Sequence, residues 1–302
     1  MKNSVFLDPA WLCTEVLGPA LAPKEFKEAK LTKLGEIEIS QDNLMSTLES
    51  LDKKHVDLVI QLLLNLYLCW QNKDTQSYTF PGFIEDKFDS KAHWELTPNS
   101  KTFSIFVGRS FACGGQMDVL APGFVARLAV FMKSSLKIDV WKDTFIASDD
   151  ADKAQALVHL NPMGTVVEVR VRGIEGSAEQ CMRLMEKVQW SISRLMRFSC
   201  PHLFLRTGVL STSDIFHNRW PAHAYHIQDV LTAKDKDDLL THPRTKEVES
   251  PMDLLYCGSA DCAKVRTGRL TQIAYLKESL VQRVDELLAS EDKDDKTKVY
   301  RN

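Results

Sequence analysis

None of the thirteen glycines in this 302-residue chain is followed by lysine. A Walker-type phosphate loop needs glycine-rich backbone amides ahead of a lysine and a serine or threonine, so nucleotide binding by that route is excluded. The His-Arg-Asp and Asp-Phe-Gly triplets of a protein kinase are missing too. Long apolar runs are scarce. The longest, 62–68, is interrupted by Asn65 and falls far short of the roughly 20 residues a transmembrane helix needs, and no secretory signal precedes the first globular element. Strong charge of either sign is absent as well: the formal net charge is -3, which gives no drive toward nucleic acid or an anionic membrane. Seven cysteines at irregular spacings make an odd number, which reads as reduced thiols in a cytoplasmic protein rather than a disulfide framework. The acidic clusters at 149–152 and 235–238 lack the glycine and closing glutamate of a calcium loop.

What is present is a soluble, globular composition, 44% apolar and 26% charged, in a chain long enough to bury a sizeable core. At the start, Asp8 can cap a helix and Pro9 fits its first position. Trp11, Leu12, Val16 and Leu17 form an apolar stripe, and Gly18 before Pro19 stops it. A helix this short needs a docking partner. Residues 40–51 place Leu44, Met45, Leu48 and Leu51 on one helical face, and 54–70 is apolar on almost every side, which predicts a central helix. Tyr78 to Phe80, then Pro81-Gly82, then Phe83-Ile84 reads as a strand, a turn and a return. Helices followed by such an element suggest a winged-helix-like unit. The central helix carries no lysine or arginine between Lys54 and Lys73, which argues against DNA binding.

Between 85 and 101 the chain turns polar, and the boundary is set there. Beyond it the pattern predicts a strand at 102–107, a helix at 122–134 and strands at 137–141, 144–148, 154–160 and 165–172, the last two joined by a hairpin at Asn161-Pro162-Met163-Gly164. In the last strand Val167, Val169 and Val171 share one face, and Glu168, Arg170 and Arg172 the other, which predicts an antiparallel sheet with one covered and one polar side. Residues 177–198 supply the cover, with Cys181, Leu184, Met185, Val188, Ile192, Leu195 and Met196 at helical spacing. A strand near 203–205, a short strand at 254–257 and a helix at 270–288 follow. The fold class is therefore α+β: a helical, winged-helix-like N-terminal half (1–98), an α/β half with an antiparallel sheet covered by a long helix (99–290), and a charged tail (291–302).

Candidate chemistry is sparse. Cys257 and Cys262, with His217, His223 and His226 as distant donors, are the best metal set, but no second close cysteine pair completes it, so neither metal nor cofactor is expected. The segment 217–226 mixes His, Arg, Trp and Tyr as interface cores do, which singles out Trp220 and His223; Arg170 and Arg172 are further interface candidates. An enzyme of unrecognised type using the Cys and His groups of the second half stays open as the alternative.

The run Phe6-Leu7-Asp8-Pro9-Ala10-Trp11-Leu12-Cys13, on to Val16-Leu17-Gly18, resembles the opening of the COR domain of Roco proteins, the segment that follows their Ras-like Roc GTPase. Val167-Glu168-Val169-Arg170-Val171-Arg172-Gly173-Ile174-Glu175 before a long amphipathic helix is a second match, and together the two look most like the death-associated protein kinase branch. The resemblance implies a non-catalytic scaffold that couples a Roc GTPase in cis to homodimerisation and to kinase or cell-death output. Phe6, Trp11 and Leu12 would be anchors of the first half.

Overall fold

The computed structural model describes residues 30–31, 37–42, 44 and 53–266, apart from 73, 85, 95–102, 116, 122 and 150–152. The opening motif with Phe6, Trp11 and Leu12, the helix expected at 270–288 and the charged tail lie outside the described residues. The chain is a mixed α+β protein built around a large antiparallel sheet.

In the first part, β1 (Lys30–Leu31), β2 (Ile37–Ser40), β3 (Trp70–Asn72) and β4 (Ser77–Thr79) form a small antiparallel sheet in the order β1-β2-β4-β3. Helix α1 (Lys53–Asn65) packs on it through Val56, Val59, Ile60 and Leu63, with Ile39, Cys69, Tyr78 and Phe80 opposite. The central helix was expected to run to residue 70, and it ends earlier. Tyr67 takes a left-handed conformation (φ 57) and Leu68 N–H donates to Leu63 O at 3.0 Å, a glycine-type helix stop made without glycine. The strand return lies before β4 rather than after it, because β3 pairs with β4 while Pro81–Phe83 closes a single 3-10 turn.

The main sheet has seven antiparallel strands: β5 (Phe103–Cys113), β6 (Lys137–Trp141), β7 (Thr144–Ser148), β8 (Ala154–Leu160), β9 (Val166–Ile174), β10 (Leu205–Leu210) and β11 (Ala224–His226), in the order β11-β10-β5-β9-β8-β7-β6. Strand β5 outruns the expected 102–107 because Gly108 does not break it. A Cβ there would press on Ile215 Cδ1 at 2.5 Å and Leu210 Cβ at 2.8 Å, so glycine is what lets the covering segment approach. The β8–β9 hairpin turns on Asn161, whose Oδ1 accepts from the Thr165 and Val166 N–H groups, while Gly164 supplies a positive φ.

One face of this sheet is covered by α3 (Phe124–Lys133) and the long α4 (Ala178–Ser199), the latter packing the apolar stripe read in the sequence against Val167, Val169 and Val171. Each of those valines is fully enclosed and contributes about 1.5–3 kcal/mol. The exposed Glu179–Arg183 pair on α4 is worth a few tenths by comparison, so apolar burial holds the helix down. Nearby, α6 (Ile227–Asp235) and α7 (Pro251–Tyr256) extend the same core through Val230, Leu254 and Leu255. Residues 254–257 were expected to be a strand. They end a helix instead, because Ser250 caps it, Pro251 opens it and Cys257 closes it in a left-handed conformation.

The opposite face corrects the expectation of a polar, solvent-facing side. It is covered twice, by the strap 86–94, containing α2 (Ser90–His93), and by residues 211–223, containing α5 (Thr212–Phe216). The strap is held by Lys142 N–H on Asp86 O at 2.9 Å and by Trp94, which is buried with Trp141, Ile146 and Leu157. Between the two parts of the chain, Arg127 Nε donates to Leu66 O at 3.1 Å and the Tyr67 and Phe131 rings meet edge to face at 5.0 Å.

Gly173, the glycine of the Val-Arg-Gly-Ile stretch, sits where α4 begins, and a methyl there would collide with Cys181 Sγ and Ser177 Oγ. Gly173→Ala should therefore destabilise the fold by about 1–3 kcal/mol, measured by urea denaturation. An unchanged midpoint would show that the helix start yields freely.

Candidate functional site

Strand alternation puts Glu168, Arg170 and Arg172 on one face, and cross-strand pairing adds Ser110, Gly108 and Phe106 from β5 and His159, Leu157 and Gln155 from β8. This row is enclosed. Arg170 is 0% exposed, and its Nε and Nη2 donate to Glu168 Oε2 at 3.2 and 2.7 Å. Nη2 also reaches Arg219 O at 2.8 Å, and the guanidinium lies 3.3 Å from the centre of the Trp220 ring. Nη1 has no hydrogen-bond partner among the described residues. Arg170 and Arg172, singled out as surface anchors, thus serve the interior. Period-two alternation reports which face a side chain takes, and Trp220 and Trp94 supply the aromatic surface that makes burial of the two cations tolerable.

Trp220 is half-buried and acts as the lid of this row. Its Nε1 donates to Asn218 Oδ1 at 2.8 Å, and its ring meets His159 edge to face at 4.9 Å. His159 Nδ1 shares a 2.8 Å hydrogen bond with Thr144 Oγ1. Burial, then the nearby Arg170 charge, pushes the His159 imidazole below its ordinary pKa.

Behind the lid lies a closed acidic network, which sequence reasoning missed. Glu249, in the strand pair β12 (Leu240–Thr241) and β13 (Val248–Glu249), takes Ser211 Oγ, Thr212 Oγ1 and Ser213 N–H on one oxygen and Tyr225 OH on the other, at 2.7–3.0 Å. Asp214 accepts from His223 N–H at 2.7 Å, Arg219 Nη1 at 3.1 Å and His242 Nε2 at 3.1 Å. Because His242 Nδ1 accepts from Thr245 N–H at 3.0 Å, both ring nitrogens are committed, and this Asp–His pair has no nitrogen left to activate a nucleophile. The one local signal was Ser211 three residues before Asp214, a helix-capping spacing. His223, the other expected surface group, is half-buried, and its ring abuts Tyr225 and His242.

Three of the described cysteines are equally inert. Burial pushes the Cys69 thiol up to about 12, Cys181 up to about 11 and Cys257 well above its ordinary value, so these remain protonated thiols at neutral pH. Cys262 donates to Glu179 Oε2 at 3.4 Å. Among the described residues no three His, Cys, Asp or Glu side chains converge as a metal ion would require, and no helix is long and apolar enough to cross a membrane.

Among the described residues, a pocket and a surface strip of rings stand open to a partner. A pocket of about 320 Å³ lies on the covered second face, with Arg172 in its lining and Phe106 and Phe216 as walls. On the other side of the molecule a ladder of rings reaches the surface. Phe131 stands 5.8 Å from Trp190, and the Arg194 guanidinium lies over both Trp190 (5.7 Å) and Phe198 (5.5 Å). Trp190 and Phe198 are 57% and 64% exposed. A comparison of the chain with models of known protein families finds no match.

Two predictions arise from the buried row and its network. Removing one member of a buried ion pair strands the other, so Glu168→Leu should cost about 3–5 kcal/mol, while Glu168→Leu with Arg170→Met should recover most of it. A double variant as unstable as the single one would mean that Arg170 is held by Trp220 and Arg219 O alone. Acid should act in two steps. Burial lowers the imidazoles of His159 and His223, so below pH about 6.5 the unfolded chain takes up protons that the folded chain resists, and stability falls. Burial raises the Asp214 carboxyl, but His223 N–H, Arg219 and His242 outweigh it and hold it low; Arg266 heads the contacts that hold Glu179 at about 2. Their stabilisation is complete above pH about 4 and is lost as pH drops toward 2. Urea midpoints from pH 7.5 to 3 test this: His159→Gln with His223→Gln should flatten the fall between pH 7 and 5 and leave the one below pH 4.

Proposed function

We propose that this chain is a non-catalytic, cytoplasmic scaffold of the COR type. A winged-helix-like N-terminal unit (1–98) and an α/β unit (99–290) would couple a Roc GTPase in cis to homodimerisation and to effector output of the death-associated protein kinase kind. The two sequence motifs support the family reading. The committed nitrogens of His242 and the protonated thiols support a non-catalytic role over an enzyme built on the Cys and His groups.

The observation that carries the interaction role is the ladder Tyr67–Phe131–Trp190–Arg194–Phe198, half-buried at Tyr67 and Phe131 and exposed from Trp190 to Phe198. Tryptophan and arginine dominate the energetics of protein contacts, and a contiguous aromatic strip on a surface is costly to leave wet. A two-fold dimer needs only one such patch, because the same surface is used by both copies. Residues at two helical turns' spacing on α4, Trp190 and Phe198, would present it.

Trp190→Ala with Phe198→Ser should therefore turn a dimer into a monomer in light scattering at tens of micromolar protein. Since both side chains are largely exposed, the denaturation midpoint of the monomer fold should move by no more than about 0.5 kcal/mol. A wild-type chain that is monomeric at this concentration would overturn the dimer, and an unaltered dimer in the variant would remove the ladder from it.

A further inference from the structure

Most buried cations in this fold are compensated. Arg170 meets Glu168, and Arg266 meets Glu179 and Glu186. Arg109 donates to Leu254 O and Leu255 O at the C-terminal end of α7, where the helix presents partial negative charge. Arg172 is different. Its Nε and Nη2 donate to the neutral amide oxygen of Gln155 at 3.1 and 2.8 Å, and its Nη1 to the carbonyl of Trp94. Its faces lie against the rings of Trp94 (3.9 Å) and Phe103 (4.3 Å), and no carboxylate pairs with it among the described residues. A guanidinium has five N–H groups, and these contacts spend three, which leaves two. Burial alone lowers it to about 10, so it stays charged at neutral pH.

A buried charge that meets only neutral acceptors among the described residues is costly, and this one lines the pocket of about 320 Å³. Most of the pocket's surface is polar, with Arg172, His217 and Asn218 in its lining, and Phe106, Phe216 and Ile215 form an apolar wall. Phe106 and Phe216 meet edge to face at 5.4 Å, Ile215 lies beside them, and Phe216 is 51% exposed at the mouth with His217 next to it. The size matches the lower end of small-ligand cavities. A planar guanidinium with spare donors matches a carboxylate, and the wall of Phe106 and Phe216 matches the ring that carries it.

We propose that this pocket binds a carboxylate carried on a flat apolar body, the carboxylate meeting Arg172 and the body lying against Phe106 and Phe216. The site is independent of the aromatic ladder on the opposite side of the sheet. The chemistry has two sources, a free aromatic acid or the C-terminus of a polypeptide ending in an aromatic residue.

Calorimetric titration of the full chain with phenylacetate and with its neutral isostere phenylacetamide tests the class. A hydrogen bond to a charged group is worth about 1.5–3 kcal/mol, so the acid should bind about tenfold or more tighter than the amide. Phe216→Ala, at a half-exposed position, should weaken phenylacetate while leaving the fold intact, and Arg172→Gln should erase the preference for the acid. Should Arg172→Gln fail to fold, the acid-to-amide ratio on the wild type and the Phe216→Ala titration still decide. A parallel titration with a short peptide ending in phenylalanine, free or amidated, assigns the source: preference for the free acid supports a small molecule, preference for the free-ended peptide supports a chain terminus. No binding of either acid, equal binding of acid and amide, or inorganic phosphate binding as tightly as phenylacetate would overturn the proposal.

Discussion

The enclosure of the Arg170 guanidinium is the constraint around which the second side of the sheet is arranged. A cation with no exposure needs a counter-charge, acceptors and a surface that does not compete with water, and the chain supplies all three from different places. Glu168 comes from two residues earlier on the same strand face. The Arg219 carbonyl and the Trp220 ring come from a segment some fifty residues later, pulled into place by the acidic network. Gly108 opposite Arg170 leaves room for that segment to descend. The network of Asp214 and Glu249 is thus best understood as the clasp that keeps the lid seated.

How much of this was legible in the sequence depends on the distance over which each signal acts. The strands at 137–141, 144–148 and 154–160 have the bounds expected, because alternation and turn residues are local. The stripe of α4 was equally plain, since one helix face is read from spacing alone. Failures came where a local helix start outweighed an apolar run, or where partners are remote. Residues 254–257 are apolar and look extended, yet the cap at Ser250 and the proline at 251 decide for helix. The alternating Glu168, Arg170 and Arg172 look solvated until Trp220 and Trp94 arrive to cover them.

The candidate site was less legible than the fold. Trp220 and His223 lie close to it, but of the residues that give the second face its chemistry, Gln155, His242 and Glu249 carry no spacing that marks them, and Asp214 has only the capping spacing from Ser211. The pocket draws its wall from β5 and its mouth from α5, about 110 residues apart in the chain. The aromatic ladder likewise joins α3, α4 and the turn after α1, so only Trp190 and Phe198 could have been paired from helical periodicity.

One feature of the interior gives the molecule built-in reporters. Cys69 sits in the core of the small sheet, whereas Cys181 sits on the buried face of α4 in the core of the large one, and both are held as unreactive thiols. A thiol in either place meets an alkylating reagent only when its own core opens. The relative labelling rates of these two cysteines therefore time the breathing of the two halves separately, and would tell whether they loosen together or one before the other.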